Sequence, residues 1–285
     1  MRASLLQLSV DSSETAGDRR LRAAAKVRER AGDDLVVLPE LWTAGAWAYD
    51  AWERDAEALD GPTAEAMSAA ARAAGAWVHA GSIVERDEDG TTYNTALLFD
   101  RDGSLRGHYR KIHRYGFDSG EAVAMGGGSD IVTVPTEFGG LGLAICYDLR
   151  FPELFRGLLD AGAELIVVPA AWPAARLAHL ELLVRARAVE EQVFVLACVA
   201  AGAHGGVRQA GHSMVVDPWG TVLAEAGDHE ATMTADVDMA EVARIRSELP
   251  VLRDRVLGIP APAPVSASSP ASAPAPAPAP ASAGH

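Results

Sequence analysis

A cysteine and a glutamate each stand where an apolar run gives way to polar residues, and a lysine stands in a basic stretch that follows a strand-like run and a turn. Cys146, one of two cysteines in 285 residues, closes the run "GLGLAIC" and is followed by "YDLRFPEL". The small and apolar residues before it suit a buried strand, and "FPELFRG" suits a helix with proline at its first positions. The thiol therefore falls in a strand-to-helix elbow. Such an elbow displays a side chain at the carboxyl end of a sheet, beside helix N–H groups that lower a thiol's pKa and can hold an oxyanion. Glu40 in "DLVVLPELW" lies just past a wholly apolar strand ending at Pro39, where a carboxylate can be partly desolvated and act as a general base. Lys111 in "HYRKIH" supplies an ammonium, a point charge able to stabilise both a thiolate and a tetrahedral oxyanion. Each residue also has a plainer reading: a structural buried cysteine, a helix-start acid, a solvated lysine.

The elements that must position these residues alternate along the chain. "ASLLQLSV" reads as a strand, and "SSETAGDRRLRAAAKVRERAG" as a helix with Ser and Glu at its start and Gly32 at its close. A buried strand, "DLVVLPE", follows. "TAEAMSAAARAAGA" is a helix, "WVHAGSIVER" and "TYNTALLFD" are strands about the turn "DEDG", and "DRDGSL" is a further turn. "DIVTVPTEFGGLGLAIC" reads as two strands, "ELIVVPA" as another, and "AARLAHLELLVRARAVEEQ" as a long amphipathic helix. Four strand candidates ("VFVLACVA", "GHSMVVDP", "GTVLAEA", "ATMTADVD") precede a last helix over 239–247. Strands and helices mix to the end, which predicts an α/β sandwich with helix-covered sheets.

Composition narrows the function. A net charge of −14 without a basic run argues against nucleic acid. The longest nearly unbroken apolar run, "VFVLACVAAGA", is too short to span a membrane, and the N-terminus reads as a first strand rather than a leader. Two distant cysteines fit neither a zinc site nor a disulfide framework, so a reducing cytoplasm is expected. The domain is expected over 1–257, and 258–285, rich in Pro, Ala and Ser, as a disordered tail.

Together, "LPELW", "YRKIH" and "CYDLRFPEL" resemble the Glu-Lys-Cys triad motifs of the nitrilase superfamily of carbon-nitrogen hydrolases, in the same chain order. The likeness runs from about Ala3 to Asp254 and includes "PAAWP", "LLVRARAVEEQVFVLAC" and "GHSMVVDPWG". It implies a four-layer α-β-β-α sandwich, with Cys146 as nucleophile, Glu40 as general base and Lys111 as oxyanion stabiliser. Glu121, ahead of the Gly-rich turn in "SGEAVAMGGGSD", would orient Lys111 and the substrate. The Tyr147 backbone N–H would share the oxyanion, and Trp172 in "PAAWP" would form pocket wall. The flanks resemble the ω-amidase-like branch, which deaminates monoamides of dicarboxylic acids through a thioester. No metal or cofactor is required, and a homodimer or higher homo-oligomer is implied.

Other readings stay open on sequence. An N-carbamoyl-amide hydrolase is the nearest alternative and a nitrilase the next. A Cys-His enzyme would use His113 or His212 with Asp217, and a non-catalytic binding module could keep the same fold. Asp148, Arg150 and Glu153 read as a local ion-pair set, and Arg187 and Glu190 as helix-surface or subunit-contact residues.

Overall fold

A computed structural model describes residues 1–258; all but the first residue of the expected tail lies outside them. Strand β1 (Arg2–Gln7) leads into helix α1 (Ala16–Arg28), then β2 (Leu35–Val37), α2 (Tyr49–Asp55) and α3 (Pro62–Ala74). Strands β3 (Trp77–Arg86), β4 (Thr92–Phe99) and β5 (Leu105–Arg110) follow, then α4 (Glu121–Ala124), β6 (Thr133–Thr136) and β7 (Gly139–Leu143). The second half runs α5 (Pro152–Asp160), β8 (Ala163–Ala170), α6 (Leu177–Glu191) and β9 (Phe194–Val199). It ends with a short hairpin β10 (Ala203–His204) and β11 (Val207–Arg208), β12 (Met214–Val216), β13 (Val222–Glu225), β14 (Ala231–Asp236) and α7 (Ala240–Glu248).

Two six-stranded mixed sheets result, in the orders β14-β1-β2-β3-β4-β5 and β13-β12-β9-β8-β7-β6. Parallel pairs sit at the centre of each, β1-β2-β3 in one and β7-β8-β9 in the other, with antiparallel strands outside. Side-chain alternation makes the layers. Leu5, Leu35 and Val37 face the other sheet's Leu143 and Val167, while Leu6, Val36 and Val78 face α1 and α3. On the far side α5 and α6 pack on β7, β8 and β9. The expected four-layer α-β-β-α sandwich is the architecture observed. No helix among the described residues is long and apolar enough to cross a membrane.

Local chemistry sets most boundaries. α3 begins at Pro62, where a missing N–H costs nothing, and stops at Gly75, whose φ of +63° suits the left-handed cap. α1 departs from expectation: its cap is Thr15, reciprocally bonded with Asp18, and it ends at Arg28 before reaching Gly32. Strand β5 was not anticipated, because this sheet-edge strand buries only Tyr109 and shows no apolar alternation.

Candidate active site

Four segments deliver polar side chains to one place. Glu40 follows β2, Lys111 follows β5, Cys146 follows β7, and Glu121 opens α4. Glu40 and Cys146 stand beyond the carboxyl ends of strands at the centre of each sheet's parallel set or beside it, the usual ligand side of such sheets. Neither turn is relaxed. Leu41, next to Glu40, has φ +45°, and Cys146 itself has φ +47°. Left-handed backbone at non-glycine residues persists only where surroundings enforce it. At Leu41 the enforcement comes from a bulge in β3: Leu41 N–H donates to Ser82 Oγ at 3.0 Å, and Trp42 Nε1 to the Ala80 carbonyl at 2.9 Å.

Lys111 Nζ donates to Glu40 Oε1 at 2.6 Å and to Glu121 Oε2 at 2.7 Å, with all three side chains buried. Burial alone would depress the lysine, but the carboxylates of Glu121 and Glu40 outweigh it and hold the ammonium charged, well above its ordinary range. Sequence reading overlooked Asn94 on β4. Its Nδ2 donates to Glu40 Oε1 at 2.8 Å and also to Glu121 Oε1, bridging the two acids. A buried Asn in the middle of "TYNTALLFD" was the available signal, since an amide inside a strand needs partners. Glu40 Oε1 thus accepts from both Lys111 and Asn94, while Oε2 accepts only the Ala171 N–H, at 2.8 Å. Oε2 is the oxygen with a lone pair left for a proton.

The Cys146 thiol corrects one expectation. Helix N–H groups were to lower its pKa; instead burial, reinforced by the negative charge of Glu40, holds it well above the ordinary thiol range, with Lys111 opposing. The residue that follows belongs to a single 3-10 turn (Cys146–Arg150), and α5 starts only at Pro152. The resting group is therefore a neutral thiol in the field of Glu40 and Lys111.

These groups share a cavity walled by Trp47, Tyr49, Trp52, Tyr115, Tyr147 and Trp172. Trp172 is buried and anchored by its Nε1 on the Arg176 carbonyl at 2.8 Å. Arg150 and Arg176 also line it, and among the described residues neither has a carboxylate partner. Arg150 lies 4.8 Å over the Trp172 ring, and Arg176 Nη1 donates to the Tyr115 hydroxyl at 3.1 Å. The expected ion-pair set is thus absent: Arg150 faces the cavity, Glu153 is exposed, and Asp148 is wholly buried among neutral donors and a histidine. Arg187 is likewise not a surface residue; it is buried over Phe155 and donates to the Leu149 carbonyl, pairing with exposed Glu190. Among the described residues no histidine lines the cavity. His113 Nδ1 pairs with Asp148 at 2.7 Å, His212 Nδ1 with Glu225 at 2.7 Å, and Asp217 caps its own turn through the Trp219 and Thr221 N–H groups. The Cys-His reading therefore has no geometry behind it.

The family model for carbon-nitrogen hydrolases matches residues 2–247. The chain belongs to this family. It is 41% identical to a 2-oxoglutaramate amidase of Paenarthrobacter nicotinovorans, over 88% of this chain and 87% of that protein. It is 37% identical to the omega-amidase NIT2 of Mus musculus, over 89% and 94% respectively. Among solved structures it is similar to a CN-hydrolase superfamily protein of Xanthomonas campestris bearing an arsenic adduct in its active site (TM-score 0.84, 32% identity, 91% and 98% of the two chains). It is also similar to Saccharomyces cerevisiae Nit3, of branch 10 of the nitrilase superfamily (TM-score 0.82, 30% identity, 90% and 97%). The protein is an enzyme, an amidase of the carbon-nitrogen hydrolase type.

Proposed function

We propose that the protein hydrolyses the terminal amide of a small dicarboxylic acid monoamide, 2-oxoglutaramate or a close analogue, through a thioester on Cys146. The carrying observation is one cavity that holds the Cys146, Glu40 and Lys111 side chains together with two arginines free of carboxylate partners. The buried acids repel a carboxylate, whereas the half-buried Arg150 and Arg176 attract one, so an amide with an anionic far end has one favourable orientation. The substrate named for the P. nicotinovorans relative fits that description.

In this mechanism the Cys146 proton moves to Glu40 Oε2 as sulfur bonds to the amide carbon. The carbonyl oxygen becomes an oxyanion, held by Lys111 and the Tyr147 backbone N–H. Collapse breaks the C–N bond; the nitrogen takes the proton from Glu40 and leaves as ammonia. Water then gives a proton to Glu40 and attacks the thioester, and collapse releases sulfur, which recovers that proton. Glu121, bonded to Lys111 and to the Tyr115 N–H at 2.8 Å, orients the lysine and a cavity wall.

The domain of 1–257 is supported by the extent of the family match, and a reducing compartment such as the cytoplasm by two free cysteines. Pairing of two copies is supported by exposed Leu182 and Val189 on α6, with exposed Trp219 next to the Gly220 that Val189 packs against. Ammonia release from dicarboxylic monoamides, carbamoyl amino acids and nitriles, measured for wild type and Cys146→Ala, tests the activity. Release from the monoamides alone, abolished in the variant, is expected; Cys146-dependent turnover of only the other classes would transfer the function to them, and no Cys146-dependent release would overturn it.

A further inference from the structure

Asp148 is wholly buried, two residues from Cys146, and its carboxylate accepts four hydrogen bonds. Oδ2 takes the Ile145 N–H at 2.9 Å and the Tyr109 hydroxyl at 2.9 Å; Oδ1 takes the His113 N–H at 3.1 Å and pairs with His113 Nδ1 at 2.7 Å. The donors fall into two groups. Ile145 immediately precedes the nucleophile, and the Asp148 N–H returns a bond to the Ile145 carbonyl at 3.0 Å, closing the turn that forces Cys146 to φ +47°. Tyr109 and His113 bracket Lys111, and the Tyr109 oxygen also accepts the Ile112 N–H at 3.2 Å. The His113 ring is held flat on Phe151, centroids 3.7 Å apart, so the Lys111 segment is also packed onto the start of α5.

We infer that Asp148 is a positioning residue that fastens the Lys111 segment to the Cys146 elbow and so sets the distance between ammonium and sulfur. Lys111 reaches the site from an edge strand of one sheet and Cys146 from the other sheet, so nothing in either sheet's own hydrogen bonding fixes their separation. A carboxylate is needed because each oxygen must accept twice. An amide in its place offers one oxygen and turns two of the four donors against an N–H₂ group, whichever way it faces. Misplacement of about 1 Å in such a pair costs up to ~10²-fold in rate.

The inference rests on the proposed roles of Cys146 and Lys111, and its test separates the two. In Asp148→Asn, kcat for amide hydrolysis is expected to fall 10- to 100-fold with KM changed less than threefold, on the order set by such misplacement. Cys146 alkylation by iodoacetamide, which needs no substrate, is expected to shift to higher pH because Lys111 no longer favours the thiolate. Tyr109→Phe, which removes one donor and leaves the carboxylate, should show both changes to a smaller extent and stands in if Asp148→Asn does not fold. Val27→Ala, a core truncation under α1, is the stability control and should alter neither. Wild-type kcat and alkylation profile in folded Asp148→Asn, or in Tyr109→Phe where it stands in, would overturn the inference. So would equal losses in the control at matched melting temperature. Failure of wild type to hydrolyse any amide would instead count against the proposed substrate and leave the alkylation result to judge the clamp.

Discussion

At the scale of residues, the site works through unequal demands on one carboxylate. Glu40 Oε1 is saturated by Lys111 and Asn94, so in the proposed mechanism proton traffic belongs to Oε2. Burial holds the Cys146 thiol protonated at rest, and the charge of Glu40 adds to that effect. These two roles separate in Glu40→Gln. Hydrolysis is expected to fall by ~10²–10⁴, the worth of a general base, yet Cys146 should react with iodoacetamide at lower pH than in wild type, because a charge that raised its pKa is gone. Steady-state ammonia release and pH-dependent alkylation check the pair; slower alkylation at every pH would refute the electrostatic account. Cys146 and Glu40 were legible because each follows an apolar run, whereas Lys111, in a basic stretch after a turn, stood out only through the family resemblance, which also supplied Glu121. Asn94 and the two arginines were not, since their significance lies in what they fail to touch or touch across the fold.

Elements supply the rigidity that these residues lack. Gly81, at φ +67° in the β3 bulge, lies so close to the Glu40 turn that a Cβ there would sit 1.9 Å from the Pro39 carbonyl oxygen. Gly81→Ala must displace that turn, and is expected to lower both melting temperature and kcat. Gly75→Ala is equally left-handed but meets nothing within 4 Å, so it should lose stability, about 1–3 kcal/mol, while keeping kcat. Equal kcat in both variants would disconnect the bulge from the site. The same strand buries His79 completely, neither ring nitrogen finding a partner among the described residues, and burial pushes its pKa down to about 3. Below pH 6.5 the unfolded chain therefore takes up a proton that the native state refuses, and stability falls as pH falls toward 3. His79→Leu removes that slope: relative to wild type, the variant should gain about 1.4 kcal/mol per pH unit below 6.5 in urea unfolding. A pH-independent difference would show His79 solvated. Most elements were readable from alternation and from Pro and Gly at their ends. β5 was not, because an edge strand with one buried side chain leaves no pattern, and the Thr15 cap was missed because the serine and glutamate just before it were read as the helix start.

Over the whole molecule, the two sheets bring residues 40, 111, 121 and 146 to one cavity, with Asn94 bonded to the two acids, while α6 turns Leu182 and Val189 outward. Leu182 and Val189 lie two turns apart on one face of α6, and Val189 packs near Gly220 beside exposed Trp219. A stable pair would bury roughly 1,200–2,000 Å². Light scattering behind size exclusion should give a dimer or larger at micromolar concentration, and Leu182→Glu should dissociate it; a wild-type monomer would contradict the pairing. The sandwich was legible from the family resemblance and the mixing of elements, whereas the clustering of the two arginines in the acids' cavity shows only in the fold, since residues 150 and 176 belong to separate 3-10 turns. That clustering bears the central claim, which one comparison tests most directly: kcat/KM for ammonia release from 2-oxoglutaramate against the diamide of the same carbon skeleton, in wild type and Cys146→Ala. A preference of at least tenfold for the monoamide, with both activities lost in the variant, is the expected result. Equal use of the two amides, or turnover that survives without Cys146, would contradict it.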